Sequence, residues 1–203
     1  PAESAWGASV ASGCPTSLVD LTGALGTDGL LHLMDRLSLF TAPELRLPAQ
    51  STSRPSDLSD PVQALLSPGS EQDSSLVASP LQMALAAAVL SNQGVRPAPL
   101  LVMAVDTPQS GWVMLPSFSA PAEVFTETTA RAIAHDLADT ALPIWQTTAC
   151  VAYSASAGVC WYLGGTLETW AGAPLAVAVL LENPDPAAVT VIGRDLLESA
   201  LTP

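Results

Sequence analysis

Few residues in this chain could do chemistry. A serine hydroxyl attacks only with a base beside it, and the nearest approach to a nucleophile turn is Ser154-Ala155-Ser156-Ala157-Gly158. That is half of a GxSxG pattern and reads better as a small-residue hairpin turn. The two histidines are His32, inside a helical run, and His135, beside Asp136; both read as helix-surface or partly buried residues rather than bases. Asp60, Glu71 and Asp73 fall in a loop, where a carboxylate is ordinarily solvated. Cys14, Cys150 and Cys160 form no CxxC, and the histidines stand at no metal-ligand spacing, so neither a metal nor a cofactor is expected. The six basic residues are all arginine (Arg36, Arg46, Arg54, Arg96, Arg131 and Arg194), and lysine is absent. Schiff bases, P-loop lysines and Ser–Lys dyads therefore cannot be built from this chain alone. Residue chemistry assigns no catalytic residue.

The elements that would have to position a site are better defined. A chain of 203 residues, 49% apolar and 12% charged, is long and apolar enough for a packed core and unlike a disordered segment. It reads as a single domain over 1–203, with 1–95 mainly helical plus a long loop and 96–203 a sheet with covering helices. A net charge of −13 argues against binding nucleic acid or anionic membrane. The longest apolar runs, Met83–Leu90 and Leu175–Leu181, are far shorter than the roughly 18–20 residues of a membrane helix. The chain starts at Pro1 rather than Met, so any signal or membrane anchor would lie upstream.

Along the chain, residues 16–25 read as a short helix stopped by Gly26, and Thr27 as the cap of a second helix with Leu30, Leu31, Met34 and Leu37 at helical spacing. From Thr41 to Asp73 the pattern dissolves into Pro, Ser, Asp and Gln. Ser79-Pro80 is a strong helix start and Gly94 a matching stop; the residues between are apolar nearly all round, which implies a buried helix. Leu100–Val105 and Trp112–Leu115 read as two strands about a turn with Pro108 and Gly111, and Thr126 starts a helix with Ala130, Ile133, Ala134 and Leu137 on its apolar face. Gln146–Tyr153, Val159–Leu167 and Leu175–Glu182 form a three-strand meander, closed by a helix from Ala187 to Leu201. The run Leu175–Leu181 is apolar at every position, as in a strand covered on both faces. A turn near Ser154–Ser156 sets Cys150 opposite Cys160, which fits equally a cross-strand disulfide or two buried thiols.

The succession of segments resembles the transpeptidase domain of penicillin-binding proteins. Ser79-Pro80-Leu81-Gln82-Met83-Ala84, running to Ser91-Asn92-Gln93-Gly94-Val95, is similar to the family's TPLQMA…ANGG segment, with Gly69-Ser70-Glu71-Gln72 near its preceding loop. Trp161-Tyr162-Leu163-Gly164, then Leu175–Glu182 with Asn183, resemble its later strands, and Val191-Ile192-Gly193-Arg194-Asp195-Leu196-Leu197 the start of its last helix. The resemblance implies an α+β fold of the penicillin-binding/β-lactamase type: an antiparallel sheet covered by helices, plus a helical subdomain, with the N-terminal strands absent.

Family catalysis rests on SxxK, SxN and KTG. SxxK cannot occur without lysine. The SxN position reads Ser12-Gly13-Cys14, a thiol in place of an amide, and no basic neighbour is evident to activate Cys14. The KTG position reads Trp145-Gln146-Thr147, where Trp145 replaces a cation and could plug the old cleft, and Thr147 adds a side chain where glycine lets substrate lie along the strand. The resemblance thus implies the C-terminal part of a transpeptidase domain of peptidoglycan synthesis, degenerate at these six positions. It implies a non-catalytic scaffold or binding module of the bacterial cell envelope, outside the cytoplasm. The alternative is part of an active transpeptidase or carboxypeptidase with its serine upstream. Implied partners are cell-envelope proteins or peptidoglycan peptides, with a dimer through an exposed sheet edge as a further expectation.

Overall fold

A computed structural model of the chain describes residues 15–45, 78–152, 158–182 and 185–201. Helix α1 (Pro15–Arg36) is one helical run bent at Gly26, whose φ of 68° and ψ of 170° interrupt it for a single residue. Gly26 was expected to end one helix ahead of a capped second. Instead the second half resumes at once, because glycine takes up the whole change of direction. Leu30 and Leu31 are buried on its second half, and His32 faces solvent.

Helix α2 (Pro80–Ser91) starts with a complete capping box. The Gln82 N–H donates to Ser79 Oγ (3.2 Å), and Gln82 Oε1 accepts from the Ser79 N–H (3.0 Å). These bonds satisfy two of the N–H groups a helix start leaves unpaired. Gln82 is itself buried, and its Nε2 donates to the carbonyls of Leu39 (2.8 Å) and Thr41 (3.2 Å). One side chain therefore caps α2 and ties down the chain that follows α1. At the other end Gln93 and Gly94 both have positive φ, and the Gly94 carbonyl accepts from Val124 (2.8 Å) and Phe125 (3.1 Å). A Cβ on Gly94 would lie 2.9 Å from the Phe125 carbonyl carbon, so only glycine fits this reversal.

Strand β1 (Val95–Arg96) follows, the hairpin of β2 (Ala104–Thr107) and β3 (Gly111–Met114) comes next, and β4 (Ala122–Glu123) returns to pair with β1. The two-residue pair β1–β4 carries no periodicity and was not read from sequence. The first strand lies later than expected and the second begins one residue earlier, because Thr107 Oγ1 closes a tight turn to the Gly111 carbonyl (3.1 Å) and β2 runs on to Thr107. Helix α3 (Glu127–Asp136) begins where Thr126 caps it and buries Ala130 and Ala134.

The sheet is the expected meander: β5 (Ile144–Ala152), β6 (Gly158–Thr166) and β7 (Ala176–Leu181), antiparallel, with β6 in the middle. Helix α4 (Pro186–Leu201) packs on one face and α2 on the other. Each face has its own core. Ile144, Cys160, Tyr162, Val189 and Leu197 lie beneath α4, and Trp145 and Leu167 meet Ala87 of α2 and Ala134 of α3. Every residue of β7 is half-buried, although β7 ends the sheet. Cys150 and Cys160 are register partners with Cα atoms 4.1 Å apart and form a disulfide, which resolves the two readings of these thiols.

Candidate functional site

The segment Trp145-Gln146-Thr147 lies in β5, which begins at Ile144, two residues before the Gln146 start that the sequence pattern implied. Pro143 sets the start, its carbonyl accepting from Leu167 (2.9 Å). Strand alternation then sends the three side chains to opposite faces. Trp145 turns toward α2 and α3, is 1% exposed, and donates from Nε1 to Ser91 Oγ (2.9 Å). The expectation that Trp145 could plug a cleft is corrected here: its indole is part of the core with Ala87, Ala134 and Leu167. Its place depends on Gly165, its register partner, where a Cβ would lie 2.6 Å from the Leu175 carbonyl oxygen and 3.0 Å from the indole nitrogen. Thr147 is half-buried opposite Leu163.

Gln146 turns the other way, into a polar chain beneath α4. Tyr162 donates its hydroxyl to Gln146 Oε1 (3.2 Å), and Gln146 Nε2 donates to Asp139 Oδ2 (2.7 Å). The same oxygen accepts from Arg194 Nη1 (3.1 Å), and Arg194 Nε donates to Glu198 Oε1 (2.7 Å). Asp139 Oδ1 takes the backbone N–H groups of Ala141 (2.8 Å) and Leu142 (3.1 Å), so both its oxygens are saturated. Burial pushes the Tyr162 phenol up to about 12, with Arg194 opposing in part and Asp139 and Glu198 adding to it. Glu198, whose hydrogen bond leads, together with the Asp139 carboxylate, holds the Arg194 guanidinium above its ordinary range.

The outer edge of β5 is closed at this point. Gln146 N–H donates to the Leu137 carbonyl (3.0 Å), Asp139 N–H to the Ile144 carbonyl (2.8 Å), and Ala138 bridges to Trp145. An extended ligand laid along the strand at Trp145 and Gln146 would find those backbone groups already taken. Chemically, the segment holds a neutral donor–acceptor pair on one face and a satisfied ion-pair chain on the other. Neither contains a nucleophile paired with a base.

A second titratable cluster sits on the surface at the end of α3. His135 Nε2 lies 2.6 Å from Glu168 Oε1, Arg131 Nε is 3.7 Å from the same oxygen, and Arg131 also pairs with Glu127. The His135 hydrogen bond, with Arg131 nearby, lowers the Glu168 carboxyl below its ordinary value. Among the described residues no group of three or more His, Cys, Asp or Glu could hold a metal ion. No helix of the described residues is long and apolar enough to cross a membrane. The positions Ser12, Gly13 and Cys14, the loop acids Asp60, Glu71 and Asp73, and the small-residue turn from Ser154 to Ala157 lie outside the described residues. Sequence reasoning passed over Ser91 and Asp139. A lone serine closing an apolar helix and an aspartate three residues before Leu142-Pro143 were the available signals.

No protein-family model matches the chain, and no curated protein matches it. Solved structures do. The D,D-transpeptidase domain of a peptidoglycan glycosyltransferase from Eggerthella lenta superposes with TM-score 0.79 and 19% identity, covering 96% of this chain and 52% of that one. Penicillin-binding protein A from Mycobacterium tuberculosis, as its imipenem acyl-enzyme complex, gives 0.73 and 22%, covering 93% and 45%. Penicillin-binding protein 3 from the same organism, complexed with aztreonam, gives 0.70 and 16%, covering 97% and 52%. The chain therefore has the fold of penicillin-binding-protein transpeptidase domains, as its segment order implied. It spans about half the length of the structures it matches.

Proposed function

We propose that this chain is a non-catalytic domain of transpeptidase fold, acting as a scaffold or binding module at the cell envelope. The observation that carries the reading is Trp145. At the position where the family resemblance expects the lysine of KTG, the side chain is a buried indole hydrogen-bonded to Ser91. A transpeptidase needs local positive charge to orient a substrate carboxylate and to help activate its serine. This strand carries no cation there, and the 203 residues contain no lysine to substitute. A placement outside the cytoplasm is supported by the Cys150–Cys160 disulfide, since such bonds persist in oxidising compartments.

The test is acylation. The longest native form, shown to be folded by its near-ultraviolet dichroism, is incubated with a fluorescent penicillin and its intact mass measured. The expected result is no adduct. A stoichiometric acyl adduct would mean a working serine nucleophile, and the non-catalytic reading would be abandoned for the active-enzyme alternative.

A further inference from the structure

Among the described residues, three of the four arginines are committed. Arg36 donates to the Glu123 carbonyl (3.3 Å), Arg131 pairs with Glu127 and Glu168, and Arg194 with Asp139 and Glu198. Arg96, half-buried on β1, makes no hydrogen bond or ion pair with a described residue, although the chain carries a net charge of −13. A half-buried arginine without a protein acceptor can offer its guanidinium to an anionic group from outside.

Arg96 lines a cavity of about 180 Å³ between the turn after α1 and the first turn of α2. The cavity is held open by structure already described. Gln82 grips the carbonyls of Leu39 and Thr41 from beneath, and Ser38 is fixed at φ 57°, a backbone state that costs a serine energy unless its surroundings impose it. Ser38 and Thr41 line the space, as do the apolar Leu37 and Leu85, and Glu44, another lining residue, is exposed and has no described partner.

We propose that this cavity binds a small zwitterionic amino acid, its carboxylate on Arg96 and its ammonium toward Glu44. The planar guanidinium fork matches a carboxylate. The cavity's own charged pair, one positive and one negative, matches a ligand that carries both. A phosphate or dicarboxylate would meet Glu44 and the acidic field of the whole chain. Size points the same way: the volume lies below the roughly 300–1,000 Å³ of sites for drug-sized ligands. The apolar lining suits a short aliphatic side chain.

Titration of the ¹⁵N-labelled chain with alanine, acetate and methylammonium, followed by amide chemical shifts, tests this. Alanine is expected to shift Ser38, Thr41 and Arg96 saturably, acetate more weakly at the same residues, and methylammonium not at all. Arg96→Met should weaken alanine by about tenfold or more, the scale of losing a charge-assisted hydrogen bond. Glu44→Gln should weaken alanine several-fold while acetate binds no more weakly than before, since the carboxylate that opposes an anion is gone. Since β1 is short and Arg96→Met could prevent folding, Glu44→Lys at an exposed position gives an independent measure, and it should abolish alanine binding. Absence of saturable shifts, or alanine affinity unchanged in Glu44→Lys or in a folded Arg96→Met, overturns the proposal.

Discussion

The two faces of β5 bury adjacent residues by opposite means. Toward α2 and α3, Trp145 fills space with a large apolar ring and satisfies its one N–H on Ser91, so that face is dry and closed by a single hydrogen bond. Toward α4, Gln146 joins Tyr162, Asp139, Arg194 and Glu198 in a chain where each polar group depends on the next. The difference shows which face could still be remodelled. A packed ring resists replacement by anything charged, because no counter-charge exists in its cluster. A polar chain tolerates changes that preserve its donors and acceptors.

The largest expected effect breaks the dry face. Trp145→Lys restores the charge that a KTG strand would carry but buries an ammonium beside Ala87, Ala134 and Leu167. It should cost more than about 4 kcal/mol in urea unfolding, enough to threaten folding of a marginal domain. Trp145→Ala, which only leaves a cavity, should cost about 3–5 kcal/mol. If Trp145→Lys unfolded at the wild-type urea midpoint, the side chain would have to be reaching solvent, and the contrast between the faces would fail.

On the polar face, Asp139→Ala removes the acceptor of two backbone N–H groups and of Gln146 and Arg194. A loss of about 2–3 kcal/mol is expected, less than for Trp145 because Arg194 keeps Glu198 and partial access to water. An unchanged midpoint would make the network ornamental.

Tyr162 sharpens the comparison through pH. Its folded pKa of about 12 exceeds the ordinary 10.0, so the native state keeps a proton that the unfolded chain releases. Its contribution is complete below pH 10 and is lost as pH rises toward 12, on the order of 2 kcal/mol. Tyr162→Phe should flatten that alkaline decline in urea midpoints measured from pH 9 to 12. A decline of equal steepness in the variant would assign it elsewhere.

The smallest effect lies outside both faces. Glu168 has its pKa lowered by His135, so the pair's contribution is present above the ordinary carboxylate range and disappears as pH falls through the folded value. The partners are exposed, and Glu168→Gln should change stability by less than about 0.5 kcal/mol at neutral pH. A larger change in thermal midpoint would give this surface cluster a structural role.

Much of the fold was legible because it rests on local signals. Ser79-Pro80 spells a helix start by residue type alone, and the meander announces itself in three apolar runs with small-residue turns between them. The strand pair β1–β4 was not legible, since two residues carry no period and their pairing depends on the Gly94 reversal. The candidate site divides in the same way. Trp145, Gln146 and Thr147 were identified as a segment, but Ser91 and Asp139 stand 54 and seven residues from their partners and carry no mark of them.

By itself, then, the sequence determined the absence of lysine, the strongly acidic balance, the order of the longer helices and of the meander strands, and the alternation that must send Trp145 and Gln146 to opposite faces. Those properties are composition and local geometry, which no folding alters. Only the tertiary structure decided that the indole is core rather than a plug, that Cys150 and Cys160 are joined, and that Arg96 meets no partner among the described residues. Each of those depends on which distant groups arrive within hydrogen-bonding or van der Waals distance, and that is set by how the helices pack on the sheet.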